Sequence, residues 1–175
     1  MKKINTNFKG LFFIKTKIFF DNRGFFKEVF LKKIIKKNLI FGCISKSKIH
    51  VLRGLHIQTK NPQLKVLSVV KGKIFDVAID LRKKSKTFKK VFSTILSDKD
   101  GRSLVIPEGF AHGFLSLTNE TLVYYLCSKH REEKHETGIL WNDKDIKIKW
   151  PIKKPILSKK DKNNLTLKQY LEKYL

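Results

Sequence analysis

Apolar and polar residues alternate along much of the chain, and this pattern predicts many short β-strands. The clearest signal runs from Lys65 to Leu81, where two runs of valine, isoleucine and phenylalanine flank Lys71-Gly72-Lys73. Alternation with a period of two is typical of half-buried strands, so this region predicts two strands joined by a turn into a long hairpin. Similar runs predict further strands at residues 88–96, 104–106, 114–117 and 121–127.

Turn sequences and two helical patterns complete this outline. Phe19-Phe20 predicts a strand that ends in the turn Asp21-Asn22-Arg23-Gly24. Apolar residues recur at helical spacing within residues 27–38 and 165–175, which predicts two short helices. Many short strands, few helices and no internal repeat favour one all-β domain over residues 1–175. We expect a jelly roll, because its interior can hold a small ligand.

Composition adds a strong positive charge to this outline. The 175 residues include 39 lysines and arginines against 15 acidic residues, which gives a net charge of +24. Such a charge indicates anionic partners, which include nucleic acid, a membrane surface and a phosphorylated small molecule. Because the lysines are scattered and accompany many isoleucine, asparagine and phenylalanine residues, an AT-rich coding sequence would produce the same excess.

Cysteine content and the N-terminus bear on the compartment. Cys43 and Cys127 form no disulfide framework and no CxxC motif, so we expect a reduced, cytoplasmic protein. The first residues loosely resemble a signal peptide, but Lys15 and Lys17 interrupt the apolar run and no small-residue cleavage site follows. No stretch reaches the length of a transmembrane helix, and we expect no membrane partner.

The segment Val51–Gln58 has the most unusual chemistry. It places Arg53 and His56 three residues apart beside Gly54, between apolar residues. A buried strand normally carries Val or Ile at such positions, whereas a guanidinium suits phosphate and an imidazole suits proton transfer. His112 lies in a similar glycine-flanked strand. Either histidine alone is most simply a hydrogen-bonded core residue, and the two together predict a pocket.

The spacing of potential ligands argues against a metal. Metal sites in jelly rolls usually need His-x-His and a nearby glutamate. Here Gln58 occupies the second histidine position, and no glutamate follows it until Glu108. His50, His130 and His135 are not spaced to complete a site, so we expect no metal.

Without a metal, His56 is a candidate base that needs an orienting carboxylate and partner groups. Tyr124 and Tyr125 are neighbours in a strand, so one of them faces inward, where a phenol can donate a proton. Lys65 at an inward position would stabilise an oxyanion, although the surface is the commoner place for a lysine. The pattern leaves four candidates for the carboxylate, namely Asp76, Asp80, Asp143 and Asp161.

Two arginines adjoin glycine and are candidates for phosphate binding. Beside Arg23 and Arg53 a glycine backbone can approach a phosphate while the guanidinium binds it. Phe25, Phe26 and Glu28 follow Arg23 and would form a platform for a nucleobase. The simpler interpretation is a surface arginine beside core phenylalanines.

Ordered blocks along nearly the whole chain resemble one family. They include Leu52-Arg53-Gly54-Leu55-His56 and Ile106-Pro107-Glu108-Gly109-Phe110-Ala111-His112-Gly113-Phe114. Others lie at residues 21–28, 63–65, 72–82, 85–88, 125, 141–143, 148–151 and 157–161. In these blocks the chain resembles the dTDP-4-dehydrorhamnose 3,5-epimerases, nucleotide-sugar epimerases with a cupin-type jelly-roll barrel.

This resemblance implies roles for the candidate catalytic residues. In the family, the histidine matching His56 removes the protons at C3 and C5 of a dTDP-4-keto-6-deoxy sugar, and the aspartate matching Asp161 pairs with it. The lysine matching Lys65 stabilises the enolate oxygen, and the tyrosine matching Tyr125 returns a proton from the opposite face. General acid–base catalysis of this kind needs no cofactor.

The resemblance also implies substrate-binding residues and a partner subunit. Arg23, Arg53 and Lys160 match positions around the diphosphate, Phe26 and Glu28 match positions near the base, and His112 matches a pocket histidine. We expect Gln58 to contact the substrate as well. A homodimer is implied, in which an N-terminal segment contributes to the neighbouring subunit.

Two blocks depart from the family pattern. Phe41-Gly42-Cys43 stands where family members usually carry Gln-x-Asn, and His130-Arg131 stands where a tyrosine pair often occurs. Loss of an amide pair and of an aromatic cover is compatible with a changed sugar or with epimerisation at a single carbon. Because the four catalytic positions are intact, we expect an active epimerase that acts at C3, C5 or both.

Three other functions compete with this interpretation. A basic barrel that binds nucleic acid would leave His56, Lys65, Tyr125 and Asp161 without a role, so we expect no nucleic-acid partner. A ketoisomerase acting on another dTDP-4-keto sugar is disfavoured by the block Leu157–Asp161. A catalytically inactive sugar-binding relative is disfavoured because the four catalytic positions are intact.

Overall fold

The computed structural model describes residues 1–175, and thirteen β-strands dominate it. The strands are β1 (Lys2–Asn5), β2 (Phe12–Lys15), β3 (Ile18–Asp21), β4 (Gly24–Lys27), β5 (Phe41–Ser47), β6 (Leu52–Gln58), β7 (Lys65–Lys71), β8 (Lys73–Asp80), β9 (Val91–Ser97), β10 (Arg102–Ile106), β11 (Phe110–Ser116), β12 (Thr121–Cys127) and β13 (Glu136–Gly138). A 3-10 helix at Glu133–His135 and two α-helices, α1 (Lys159–Lys162) and α2 (Leu167–Tyr174), complete the structure. None of the helices is long and apolar enough to cross a bilayer.

Two antiparallel sheets face each other and enclose the core. The six-stranded sheet has the order β1-β2-β10-β7-β12-β5, and the five-stranded sheet has the order β13-β6-β11-β8-β9. Apolar side chains from the inner faces of both sheets pack together, and Leu67, Ile74 and Phe114 are fully buried among them. The predicted all-β jelly roll with a few short helices is confirmed.

Both strands predicted between Lys65 and Leu81 form, but the prediction that they pair as a hairpin is wrong. β7 pairs with β10 and β12 in one sheet, whereas β8 pairs with β11 and β9 in the other. The turn between them therefore carries the chain from sheet to sheet. Gly72 adopts φ +88°, and a Cβ there would lie 2.4 Å from Thr118 Oγ1, so only glycine fits this corner.

The helix predicted within residues 27–38 is also wrong. This segment contains a single turn, in which the backbone N–H of Ile34 bonds the carbonyl of Leu31. Its apolar residues instead cover the outer face of the six-stranded sheet, where Ile35 is buried against residues such as Phe12. Closely spaced lysines would repel one another on a short helix, so burial against the sheet decides the conformation.

The C-terminal third covers the outer face of the five-stranded sheet. Side chains after β13 pack on β8, and the ring centroids of Trp150 and Phe75 are 5.6 Å apart. The predicted C-terminal helix forms as α2, with Thr166 and Gln169 in a capping box at its N-terminus. Within this segment, α1 lies against β6.

A buried carboxylate stabilises the loop after β8. Asp80 accepts hydrogen bonds from Arg82 Nε and Nη2, Ser85 Oγ and Thr87 Oγ1, at 2.8, 2.7, 2.5 and 2.6 Å. Burial alone would raise the pKa of Asp80, but these donors outweigh it and lower the pKa to about 2. The stabilisation is therefore complete above the unfolded value near 4 and is lost as the pH falls through about 2.

We expect Asp80→Asn to lower the free energy of unfolding at neutral pH by about 2 kcal/mol, because a shift of this size favours the folded carboxylate. Urea unfolding at pH 7 and at pH 3 measures the effect, which should shrink at the lower pH. The matched control is Asp145→Asn at an exposed carboxylate. Equal unfolding free energies for wild type and Asp80→Asn at pH 7 would contradict this assignment.

Candidate active site

A β-bulge places Arg53 and His56 on the same face of β6. In a regular strand, residues three apart point to opposite faces. Here His112 of β11 pairs with His56 and Phe114 pairs with Arg53, so the single residue between them on β11 opposes two residues of β6. The extra residue turns both functional side chains toward the space between the sheets.

Two glycines make this bulge possible. Gly54 adopts φ +131°, and a Cβ there would lie 2.5 Å from the Cα of Gly113. A Cβ on Gly113 would in turn lie 2.6 Å from the carbonyl oxygen of Arg53. Since neither strand has room for a side chain, the glycines beside the two histidines are required by the close approach of β6 and β11.

A cavity of about 500 Å³ opens between the two sheets and collects most of the predicted functional residues. The five-stranded sheet contributes Arg53, His56 and His112, and the six-stranded sheet contributes Lys65 and Tyr125. The remaining lining includes Phe41, Cys43, Cys127, Arg131, Glu136, Ser158, Lys160 and Asp161.

His56 pairs with Asp161, which comes from the first turn of α1. His56 Nε2 lies 2.5 Å from Asp161 Oδ1, and Ser158 Oγ donates to Oδ2 of the same carboxylate at 2.9 Å. Ser158 is also the N-cap of α1 and accepts the N–H of Asp161. Burial would raise the pKa of Asp161. The hydrogen bond and the charge of His56, together with the hydrogen bond of Ser158, outweigh burial and lower the pKa. An ionised Asp161 holds the imidazole as an Nε2–H donor and leaves Nδ1 free to accept a proton.

The structure distinguishes the four candidate carboxylates. Asp161 alone contacts His56. Asp80 binds Arg82, and Asp143 accepts the backbone N–H of Leu167 at 2.8 Å near the start of α2. The remaining one, Asp76, belongs to a second histidine–aspartate pair.

This second pair was not identified from the sequence. Asp76 Oδ2 lies 2.8 Å from His112 Nε2, and both side chains are buried. The His112 ring meets Tyr125 edge-on with the ring centroids 6.3 Å apart. Asp76 stands out in the sequence as a carboxylate in the middle of the apolar strand β8. Its partner His112 could be identified only from the register between β8 and β11.

Lys65 and Tyr125 face His56 from the opposite sheet. Burial lowers the pKa of Lys65, although the neighbouring Cys127 and Glu136 partly oppose this. Burial, with a smaller contribution from the charge of Asp76, raises the pKa of Tyr125 well above its ordinary value. At neutral pH the phenol is therefore a protonated donor, and the ammonium loses its proton more readily than that of an exposed lysine.

Two thiols line the same wall of the cavity. Cys43 of β5 is exposed and is the register partner of Tyr125, whereas Cys127 is buried and pairs with Lys65. Burial raises the pKa of both thiols, in Cys127 to about 11. Together with Phe41 they give this wall no amide donor.

Arg131, Glu136 and Lys160 form a charged cluster beside His56. Glu136 accepts hydrogen bonds from Arg131 at 3.0 and 3.2 Å and from Lys160 at 2.5 Å. Burial would raise the pKa of Glu136, but these two cations lower it to about 2. Glu136 escaped the sequence analysis because nothing in its local sequence distinguishes it from a surface glutamate.

Gln58 does not line the cavity, contrary to the prediction that it contacts substrate. Its Nε2 donates to the carbonyls of Asn61 and His130, at 2.7 and 3.3 Å, and its Oε1 accepts the N–H of Glu132 at 3.0 Å. Both amide N–H groups and the amide oxygen thus bond to backbone groups, and Gln58 fixes the loop that carries Arg131.

Three further predicted substrate-binding residues lie outside this cavity. Arg23 and Phe26 belong to the β3–β4 hairpin and are exposed, and Glu28 follows it. Arg23 binds only Asp21 of its own turn, at 2.6 Å. Within one chain these three residues line no part of the cavity beside His56.

Comparisons with known proteins identify the family of the chain. A sequence model of dTDP-4-dehydrorhamnose 3,5-epimerase matches residues 5–169. The enzyme of that name from Methanothermobacter thermautotrophicus is 42% identical over 168 residues, covering 91% of each chain. The one from Shigella flexneri is also 42% identical, covering 93% of this chain and 94% of its own.

Solved structures with bound ligands are similar as well. The dTDP-4-dehydrorhamnose 3,5-epimerase of Bacillus anthracis, with TDP and PPi bound, superposes with a TM-score of 0.90 at 40% identity and covers 95% of this chain and 99% of its own. A Legionella pneumophila 3,5-epimerase in complex with dTDP-4-keto-L-rhamnose gives a TM-score of 0.90 at 37% identity, with 95% and 93% coverage.

Proposed function

The chain belongs to the dTDP-4-dehydrorhamnose 3,5-epimerase family, and we propose that the pair His56–Asp161 is its catalytic base. The protein is an isomerase that epimerises a dTDP-4-keto-6-deoxyhexose at C3, C5 or both. The observation that carries the assignment of the base is the 2.5 Å contact of His56 with a buried carboxylate, opposite Tyr125 and Lys65.

Proton removal follows from the tautomer that Asp161 imposes. A C–H bond next to the C4 ketone is acidified, and the free Nδ1 of His56 takes its proton while electrons move onto the ketone oxygen. The ammonium of Lys65, which lines the cavity, stabilises the resulting enolate oxygen. The imidazolium formed at His56 is stabilised by the ionised Asp161.

Inversion requires a donor on the other face of the sugar. Tyr125 comes from the six-stranded sheet and His56 from the five-stranded sheet, so a sugar ring between them presents one face to each. The raised pKa of Tyr125 keeps its phenol protonated. Proton return from this side gives the inverted carbon, whereas return from His56 restores the substrate.

Cations near the cavity suit the diphosphate. Arg53 donates to Ser47 Oγ at 3.0 Å and to the carbonyl of Lys46 at 2.9 Å, and Lys160 lines the same cavity beside Glu136. Guanidinium and ammonium groups held in this way bind phosphate oxygens with little loss of side-chain entropy. The scattered surface lysines add attraction at longer range.

Proton NMR of the purified protein with dTDP-4-keto-6-deoxyglucose in deuterated water tests the proposal. Deuterium at both C3 and C5 would establish epimerisation at both carbons. Deuterium at one carbon would establish a single-site epimerase. The loss of reaction at the other carbon would then be attributed to the wall formed by Phe41 and Cys43. Absence of exchange would contradict the assigned base.

The pH profile tests the role of Lys65. Because burial lowers the pKa of Lys65, the ammonium is lost as the pH rises through a value below the ordinary 10.5 of lysine, and activity should fall with it. We expect Lys65→Met to reduce kcat by about 100-fold and to remove this alkaline limb. An unchanged limb in Lys65→Met, measured as kcat against pH, would show that another group sets it.

A homodimer would account for the predicted substrate-binding residues that lie on and beside the β3–β4 hairpin, outside the cavity. The β3–β4 hairpin exposes four phenylalanines, and Phe20 and Phe26 are 69% and 65% accessible. Exposed apolar patches of this kind mark interaction surfaces. We propose that two copies pair so that the hairpin of one, with Arg23, Phe26 and Glu28, completes the cavity of the other. The pair would work in the cytoplasm, a compartment that keeps thiols such as Cys43 reduced.

We expect Phe20→Asp with Phe26→Asp to convert the dimer to monomers and to raise KM by about tenfold or more, since a lost contact of 1.4 kcal/mol already has that effect. Sedimentation velocity and initial rates measure the two changes. Ile95→Asp, at an exposed position on β9, is the matched control. A dimer that survives the double substitution would place the interface elsewhere.

A further inference from the structure

A second cavity lies on the outer side of the five-stranded sheet, in the segment that follows β13. Its volume is about 330 Å³, and it shares no residue with the cavity between the sheets. Its lining combines aromatic rings with positive charge, namely Trp141, Trp150, Lys144, Lys147, Lys149 and Lys153.

The two indole rings give the cavity an apolar surface, and the ring of Trp150 is held in place. Trp150 Nε1 donates to the carbonyl of Trp141 at 2.7 Å, and its ring packs edge-on against Phe75. Both tryptophans are only half-buried. Because the Trp150 N–H is already bonded within the protein, what this ring offers the cavity is apolar ring surface, to which a flat ring can stack.

The positive charge around these rings is not neutralised by the protein. The lysine salt bridges of the chain involve Lys37, Lys46, Lys160 and Lys168, so none of the four cavity lysines is paired.

The acidic lining residue, Asp143, offsets one of these charges, so four lysines and one aspartate leave the lining with a net charge of +3. It is buried, and its two oxygens accept the backbone N–H groups of Asp145 and Leu167, each at 2.8 Å. The cavity therefore presents four free ammonium groups beside two aromatic rings.

We propose that this cavity binds a nucleoside phosphate, with the base against the indole rings and the phosphates among the lysines. Stacking on an aromatic side chain accepts any base, and clustered ammonium groups bind a chain of phosphates. The volume lies at the lower end of the range for small-molecule sites, about 300–1,000 Å³, which suits a mononucleotide better than a strand. The site is independent of the one beside His56 and does not rest on the proposed roles there.

Tryptophan fluorescence reports on this cavity alone, because both tryptophans of the chain line it and neither lines the catalytic cavity. We would titrate the full-length protein with ATP, exciting at the red edge of the indole band where adenine does not absorb. We expect saturable quenching whose affinity falls at least tenfold in Lys147→Glu with Lys153→Glu.

Matched variants separate this site from general charge and from the catalytic cavity. Lys83→Glu with Lys84→Glu makes the same charge change at exposed positions elsewhere, and Arg53→Glu alters the catalytic cavity. Both should retain the ATP affinity of the wild type. Absence of quenching, or equal loss of affinity in the two lysine pairs, would overturn the proposal.

Two further ligands test the nucleoside and its size. Inorganic triphosphate should bind more weakly than ATP. Equal affinity for the two ligands would show that the nucleobase does not contribute to binding and would overturn the proposal. Oligothymidylate that binds more tightly than thymidine triphosphate would make this a surface for single-stranded nucleic acid and overturn the proposal of a mononucleotide site.

Discussion

His56→Ala is expected to abolish deuterium incorporation from solvent into the sugar and to reduce kcat/KM by at least about 1000-fold. General base catalysis contributes roughly 10²–10⁴-fold, and the other histidine of the cavity, His112, is already bonded to the buried Asp76. The substitution removes a half-buried ring beside a bulge that Gly54 and Gly113 already define, so the fold should persist. The measurement is proton NMR in deuterated water, with circular dichroism as the test of folding.

Two variants sharpen this result. Asp161→Asn keeps the shape of the pair but favours the wrong tautomer, so exchange should slow strongly while the affinity for dTDP stays the same. His135→Ala changes a histidine outside the cavity and should leave exchange unaltered. Full exchange in a folded His56→Ala protein would remove His56 from the role of base.

Tyr125→Phe is expected to lose inversion far more than exchange. With His56 and Lys65 in place the enolate still forms, but the proton can return only from the face it left. We expect product formation to fall by about 100-fold or more while deuterium exchange into the substrate remains within about tenfold of wild type. Product formation and exchange are followed in the same NMR sample.

The aromatic ring of the variant keeps the edge-on contact with His112, so lost packing cannot explain the result. Tyr124→Phe, at the neighbouring position with the opposite orientation, is the control and should retain both activities. Equal loss of exchange and inversion in Tyr125→Phe would show that base and acid are not separate groups.

Alternation along the chain was sufficient to predict most strands, because each strand buries one face and the pattern is local. Pairing is not local, so the sequence could not show that β7 and β8 belong to different sheets. The helix expected within residues 27–38 failed for a related reason, since helical spacing there reflects burial of residues such as Ile35 against a sheet made by distant strands.

The catalytic residues were only partly accessible from spacing. Regular alternation would separate Arg53 and His56, and only the bulge opposite β11 brings them together. Asp161 is 105 residues from His56 along the chain, so the resemblance to the family, and not the pattern, singled it out. The pair Asp76–His112 and the carboxylate Glu136 depend on register and loop conformation, which residue types alone do not encode.

Cys43 makes the cavity open to selective labelling without any engineering. A thiol-directed reagent that enters the cavity meets Cys43 exposed beside Tyr125, whereas Cys127 is buried and, with a pKa of about 11, stays protonated. Since the thiolate is the reactive form and Cys43 and Cys127 are the two cysteines of the chain, a small fluorinated label should attach at Cys43 under mildly alkaline conditions. Its fluorine resonance would then follow the entry of a nucleotide sugar in real time.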